Sequence, residues 1–98
     1  MFKIRVLVSG DVQGVWFRIS TQDKANELGL TGWVKNLFSN AVEIVAEGDM
    51  ETLAELTGWL QTGPPNAKVK KVSIEWDEIS TNEFSYFKIH KCILHFAK

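Results

Sequence analysis

A short segment near the N-terminus carries residue types that could bind an anion. Gly10 and Gly14 bracket a turn, and Arg18 ends the segment Gly10-Asp11-Val12-Gln13-Gly14-Val15-Trp16-Phe17-Arg18. A turn that leads from a strand into a helix exposes N–H groups without helical partners, and the helix dipole adds to their attraction for an anion. A guanidinium can bind two phosphate oxygens at once. On the residues alone, a phosphate site and a structural turn with a solvated arginine both stay open.

The same segment resembles the first signature of the acylphosphatase family. That signature reads glycine, any residue, Val-Gln-Gly-Val, any residue, an aromatic residue and arginine, and the chain matches it from Gly10 to Arg18. The second family signature is matched by Gly32-Trp33-Val34-Lys35-Asn36, which continues through Val42 to Gly48. The resemblance runs from about Ile4 to Ile89, and two separate motifs at the expected spacing make it specific.

The resemblance implies a hydrolase that cleaves the carboxyl–phosphate bond of acyl phosphates to a carboxylate and inorganic phosphate. It implies that Arg18 supplies the charge that binds the phosphoryl group and that Asn36 orients the attacking water. It also implies that the phosphoryl oxygens accept hydrogen bonds from the backbone N–H groups of Gln13, Gly14, Val15, Trp16 and Phe17. Because a carboxylate leaves easily, the reaction depends on positioning and charge stabilisation. We expect no metal and no cofactor.

The chain departs from the family pattern at three places. Asn40 stands where the second signature normally has a turn glycine, and we expect it to adopt a positive φ, which asparagine tolerates. Leu37 follows Asn36 where a small hydroxyl residue is frequent, so a supporting hydrogen bond is expected to be missing. The extension 91–98 is not explained by the resemblance, and we predict that it lies apart from the loop that ends at Arg18.

The hydrophobic pattern predicts the elements that position these residues. Alternation predicts strands at Ile4–Ser9, Thr31–Phe38, Ala41–Glu47, Val72–Trp76 and Phe84–His90. Helical spacing predicts one helix from Phe17 that ends before Gly29, and another that follows Asp49 as N-cap and ends before Gly63. The order predicts an α+β, ferredoxin-like βαββαβ sandwich: a mainly antiparallel sheet, two helices on one face and an additional C-terminal strand.

Length and composition limit the class of protein. The 98 residues predict a single domain, 1–98. A net charge of −1 argues against a nucleic-acid partner, and no apolar run is long enough to span a bilayer, so we expect no membrane partner. The single cysteine, Cys92, excludes an internal disulfide and favours a reducing compartment. We predict a cytoplasmic monomer whose partner is a small acyl phosphate.

Two other functions share parts of this pattern. An RNA-recognition domain has the same topology, but its central strands would carry stacking aromatic or basic residues where this chain has Glu43 and Glu47. The second alternative is a relative of the acylphosphatase-like domain of hydrogenase-maturation proteins. A metal site at His90, Cys92 and His95 is a poor match to known ligand spacings.

Several side chains have a structural interpretation beside a functional one. Glu43 and Glu47 are predicted to lie on the solvent-exposed side of their strand, and the lysines at 68, 70 and 71 on an exposed sheet edge. Trp16 occupies the variable position of the first signature, where it either lines the entrance for an acyl group or is simple apolar surface.

Overall fold

The computed structural model describes residues 1–14, 16–38 and 40–90. In that part of the chain, the elements follow the order β1, α1, β2, β3, α2, β4 and β5. Their bounds are β1 (Phe2–Asp11), α1 (Phe17–Glu27), β2 (Thr31–Leu37), β3 (Ala41–Gly48), α2 (Met50–Leu60), β4 (Lys68–Glu78) and β5 (Phe87–His90). The predicted order of strands and helices is confirmed. The last strand is shorter than predicted: it begins at Phe87, and residues 84–86 lie in the loop before it.

The strands form one sheet with the order β4-β1-β3-β2-β5. Strand β1 pairs antiparallel with β3 and β4, and β2 pairs antiparallel with β3. Strand β5 joins the outer edge of β2 in parallel. The ferredoxin-like fold and the additional C-terminal strand are therefore confirmed.

The helices and one face of the sheet enclose the core. Ile4, Val6 and Val8 on β1 are fully buried and lie opposite Ala46, Ile44 and Val42 on β3. The helices add buried residues at helical spacing, namely Phe17, Thr21 and Ala25 from α1 and Leu53, Leu56 and Leu60 from α2. Because successive strand residues point to opposite faces, this register leaves Arg5, Glu43 and their neighbours on the other face of the sheet, called here the open face.

The ends of the helices agree with the sequence in position, and in one case differ in chemistry. Gly29 has a φ of 73° and ends α1, with its N–H donating to the carbonyl of Asn26 at 3.1 Å. Asp49 occupies the N-cap position of α2, but its side chain makes no capping hydrogen bond. The predicted N-cap position of Asp49 is therefore confirmed.

The prediction for Glu43 and Glu47 is wrong, because both carboxylates are buried on the open face. Arg5 Nε donates to Glu43 Oε2 at 2.5 Å and covers that carboxylate. Glu47 is 2% exposed, because residues 83 and 84 of the loop between β4 and β5 fold over it. Strand alternation indicates which face a side chain occupies, whereas burial depends on what covers that face.

The lysines at 68, 70 and 71 lie on an exposed sheet edge, as predicted. Strand β4 is an edge strand, and the lysines at 68, 70 and 71 on it are exposed. Charged side chains at an edge discourage pairing with another chain. Within residues 1–14, 16–38 and 40–90, neither helix has the length and apolar character needed to cross a bilayer.

Candidate active site

A cavity of about 340 Å³ lies at the N-terminal end of α1. Its described wall residues come from the turn after β1, the first turn of α1 and the end of β2. They are Val12, Gly14, Trp16, Phe17, Arg18, Ile19 and Asn36. The fold thus brings Arg18 and Asn36 to one cavity, although they belong to different motifs.

The turn between β1 and α1 borders this cavity and contains several backbone donors. Gly14 has a φ of 75°, and Trp16, the N-cap residue of α1, has a φ of 63°. The N–H groups of Gln13, Gly14, Trp16, Phe17 and Arg18 donate to no backbone carbonyl among the described residues. A turn with left-handed residues directs successive N–H groups into a concave anion-binding surface, and the helix dipole adds positive potential there. Val15 lies outside the described residues.

Arg18 is the second residue of α1 and is half-buried. Its Nη1 donates to the backbone carbonyl of His90, at the end of β5, over 3.4 Å. No ion pair within the described ranges involves Arg18. Since a guanidinium has five N–H donors, the one bond to His90 orients the group and leaves most donors available.

Asn36 lies on β2, opposite Val42 of β3 and on the helix-covered face of the sheet. Its Oδ1 is buried and has no hydrogen-bond partner among the described residues. An unsatisfied buried amide oxygen costs roughly 1–3 kcal/mol, so natural proteins seldom keep one without a reason. A side-chain amide also offers N–H donors, and half a turn about its last bond exchanges the two ends.

The side chain of Gln13 joins the anion-binding turn to the β2–β3 hairpin. Its Nε2 donates to the carbonyls of Leu37 at 2.6 Å and Ala41 at 2.8 Å. The N–H of Gly10 also donates to the carbonyl of Asn40 at 3.3 Å. These bonds hold the turn against the strand end that carries Asn36. The sequence pointed only to the backbone N–H of Gln13, because nothing local shows which carbonyls its side chain reaches.

The departures from the family pattern lie in the β2–β3 hairpin and in the chain that follows β5. Asn40 has a φ of 58°, which confirms its predicted left-handed conformation. The Leu37 side chain has no hydroxyl, while its carbonyl accepts from Gln13. His90 stacks on Trp33, with ring centroids 5.2 Å apart. Cys92, His95 and the rest of the extension 91–98 lie outside the described residues, so the prediction for the extension stays a prediction.

Comparison with known sequences identifies close relatives. The family model described as Acylphosphatase matches residues 4–89. An acylphosphatase of Methylococcus capsulatus is 48% identical over 89 residues, which are 91% of this chain and 96% of the relative. The similarity therefore covers nearly the whole of both chains.

Solved structures show the same likeness in three dimensions. A crystal structure of acylphosphatase from Bacillus subtilis superposes with a TM-score of 0.86 and 37% identity, covering 92% of this chain and 99% of that one. An acylphosphatase from Coxiella burnetii gives a TM-score of 0.80 with 50% identity and covers 90% of each chain. On sequence and structure together, this chain belongs to the acylphosphatase family.

Proposed function

We propose that this cavity hydrolyses acyl phosphates, with the turn holding the phosphoryl group and Asn36 orienting water. Hydrolysis of the carboxyl–phosphate bond is the activity that membership of the family supports. The observation that carries the site assignment is that Arg18, the N–H groups of the turn and Asn36 line one cavity. Within the described part of the chain, Arg18 forms no ion pair and the buried Oδ1 of Asn36 has no hydrogen-bond partner. The residues assigned are Arg18, Asn36 and the N–H groups of Gln13, Gly14, Val15, Trp16 and Phe17.

The phosphoryl end of the substrate suits the donors of the cavity. A dianionic phosphoryl group accepts hydrogen bonds from several directions, and the N–H groups of the turn provide fixed donors that need no reorganisation. Arg18 adds a planar pair of donors that matches two phosphoryl oxygens. Its bond to the His90 carbonyl restricts the side chain, so less conformational entropy is lost when the phosphoryl group binds.

The water end of the reaction suits Asn36. An amide accepts a hydrogen bond from water and donates one to a phosphoryl oxygen, without the repulsion that a carboxylate would cause. The oxygen of the water attacks phosphorus, and the bond from phosphorus to the bridging oxygen breaks. The carboxylate leaves with the electron pair, and the protons of the water pass to inorganic phosphate and solvent. Little acid catalysis is needed, because a carboxylate is stable without protonation.

Metal independence, a cytoplasmic location and a monomeric state belong to the same proposal. In the proposed mechanism, the guanidinium and fixed N–H groups neutralise the charge that a metal ion would otherwise neutralise. The single Cys92 and the low net charge support a reducing compartment and the absence of a polyanionic partner. Activity should persist after exhaustive chelation. Restoration of a chelated, inactive sample by zinc or magnesium would refute metal independence.

The deciding experiment measures steady-state hydrolysis of acetyl and benzoyl phosphate and inhibition by inorganic phosphate. Asn36→Ala should lower kcat by roughly tenfold to a thousandfold while the phosphate inhibition constant stays nearly unchanged. Asn26→Ala, at an exposed position of α1, is the matched control and should behave as wild type. Full turnover by Asn36→Ala would remove Asn36 from the mechanism, and an inactive wild type would refute the proposed function.

A further inference from the structure

Two large apolar side chains lie exposed at the mouth of the cavity. Trp16 is 71% exposed and Ile19 is 42% exposed, and both line the cavity that contains Arg18 and Asn36. A single exposed apolar residue is ordinary on a protein surface, whereas apolar side chains grouped around a concave polar site are typical of ligand-binding surfaces. Because Trp16 and Ile19 both line the cavity, their exposure is of the kind found at ligand-binding surfaces.

The backbone of Trp16 makes the exposure more informative. Trp16 has φ 63° and ψ 21°, the left-handed conformation, in which a residue other than glycine is strained. Its side chain makes no capping hydrogen bond, and the exposed ring gains little from burial. Glycine would satisfy the same turn without the strain. The turn therefore does not require a tryptophan, and strained residues of this kind cluster at functional sites.

Trp16 and Ile19 both come from the beginning of α1. The Trp16 carbonyl accepts the N–H of Ser20 at 2.9 Å, so Trp16 belongs to the first helical turn. Ile19 lies in the same turn, and both side chains line the cavity. The cavity lining thus combines the polar side chains of Arg18 and Asn36 with the exposed apolar side chains of Trp16 and Ile19.

We propose that Trp16 and Ile19 bind the acyl group and favour acyl phosphates with an aromatic or long aliphatic acyl chain over small ones. This inference rests on the proposed function. With the phosphoryl group held by the N–H groups of the turn, the acyl group extends toward the mouth. There an apolar chain covers the exposed ring and methyl groups, whereas an acetyl group is too short to cover both.

The experiment compares kcat/KM for benzoyl phosphate with kcat/KM for acetyl phosphate in each variant. The ratio of kcat/KM for benzoyl phosphate to kcat/KM for acetyl phosphate is compared between each variant and wild type. This comparison cancels the difference in intrinsic reactivity between the two substrates. We expect the ratio to fall roughly five- to tenfold in Trp16→Gly, the size of a lost aromatic contact, and about two- to threefold in Ile19→Ala. Glycine keeps both the left-handed turn and the backbone N–H.

Trp76→Ala is the matched control. Trp76 lies on edge strand β4 and not at the cavity; it is 42% exposed and packs edge-on against Phe2. The ratio of the two kcat/KM values in Trp76→Ala should therefore equal that of wild type. An unchanged ratio in both Trp16→Gly and Ile19→Ala, with acetyl phosphate still hydrolysed, overturns the acyl site and leaves the proposed function intact. A wild type that hydrolyses neither substrate overturns both.

Discussion

The chain has two arginines, and the fold gives them opposite surroundings. Arg5 lies on the open face, where its Nε donates to Glu43 at 2.5 Å and its Nη1 lies 3.7 Å from Glu75. Arg18 lies in the cavity, and within the described residues its bond goes to a backbone carbonyl and to no carboxylate. Among the described residues, two identical side chains thus differ in whether a carboxylate neutralises their charge: Arg5 has such partners and Arg18 has none.

The same contrast extends to the buried acceptors of the two regions. On the open face, the Glu47 carboxylate accepts the N–H groups of Glu83 and Phe84 at 2.9–3.1 Å and the Thr31 hydroxyl at 3.4 Å. In the cavity, Asn36 Oδ1 accepts no hydrogen bond from the described residues. Saturated polar groups stabilise a fold, whereas unsaturated ones leave bonding capacity for a ligand. The open face is therefore structural, and the cavity is suited to binding.

Substitution of each arginine tests this contrast most strongly. Arg18→Ala should lower kcat/KM for benzoyl phosphate by roughly a hundredfold to a thousandfold and weaken inhibition by phosphate. Arg18→Lys should recover only part, because an ammonium cannot match two oxygens at once. Arg5→Lys should keep wild-type kinetics. Normal phosphate inhibition of Arg18→Ala, or equal kinetic losses at both arginines, would remove the distinction between the regions.

Glu47 tests the structural side of the comparison. Glu47→Gln puts an N–H₂ group among backbone donors and should lower the free energy of unfolding by roughly 1–3 kcal/mol, measured by urea denaturation. The matched control is Glu51→Gln, at an exposed position of α2, which should stay within about 0.5 kcal/mol. Hydrolysis per folded molecule should be unchanged in both. A catalytic loss in Glu47→Gln at wild-type stability would mean that the open face takes part in the reaction.

The smallest expected effect concerns the hairpin turn beside the cavity. Because Asn40 has a φ of 58°, Asn40→Gly should be neutral or stabilising by less than about 1 kcal/mol, while Asn40→Val should lose about 1–2 kcal/mol. Thermal midpoints provide the measurement. Catalytic effects should stay small, since the carbonyl of Asn40, which accepts from Gly10, is retained in every variant. Equal midpoints for all three proteins would contradict the strain argument.

Local sequence was sufficient for most of the fold. The alternation at Ile4, Val6 and Val8 and the helical spacing of Leu53, Leu56 and Leu60 predicted the faces that become buried. These patterns work because the period of the backbone decides which side chains share a face. The two signatures also indicate Arg18 and Asn36 as candidate site residues.

Burial and side-chain partners could not be obtained in this way. Glu43 and Glu47 alternate with core residues, as exposed residues do, but the side chain of Arg5 and the loop between β4 and β5 cover them. The two carbonyls that the Gln13 side chain reaches belong to residues 24 and 28 positions away in the chain. Contacts of that range have no local pattern, because they depend on how separate elements pack.

The amino-acid sequence was enough to establish the order of the elements, the left-handed residue at Asn40 and the membership of the family, since each depends on local conformation or on short motifs. It could not say which of the two arginines forms ion pairs within the described residues, or that Trp16 and Ile19 line the same cavity. Those properties arise only when separate elements meet, namely β1, β3 and β4 around Arg5 and α1 and β2 at the cavity. The reason is that a charge is neutralised and a cavity is enclosed by groups that are distant in the chain.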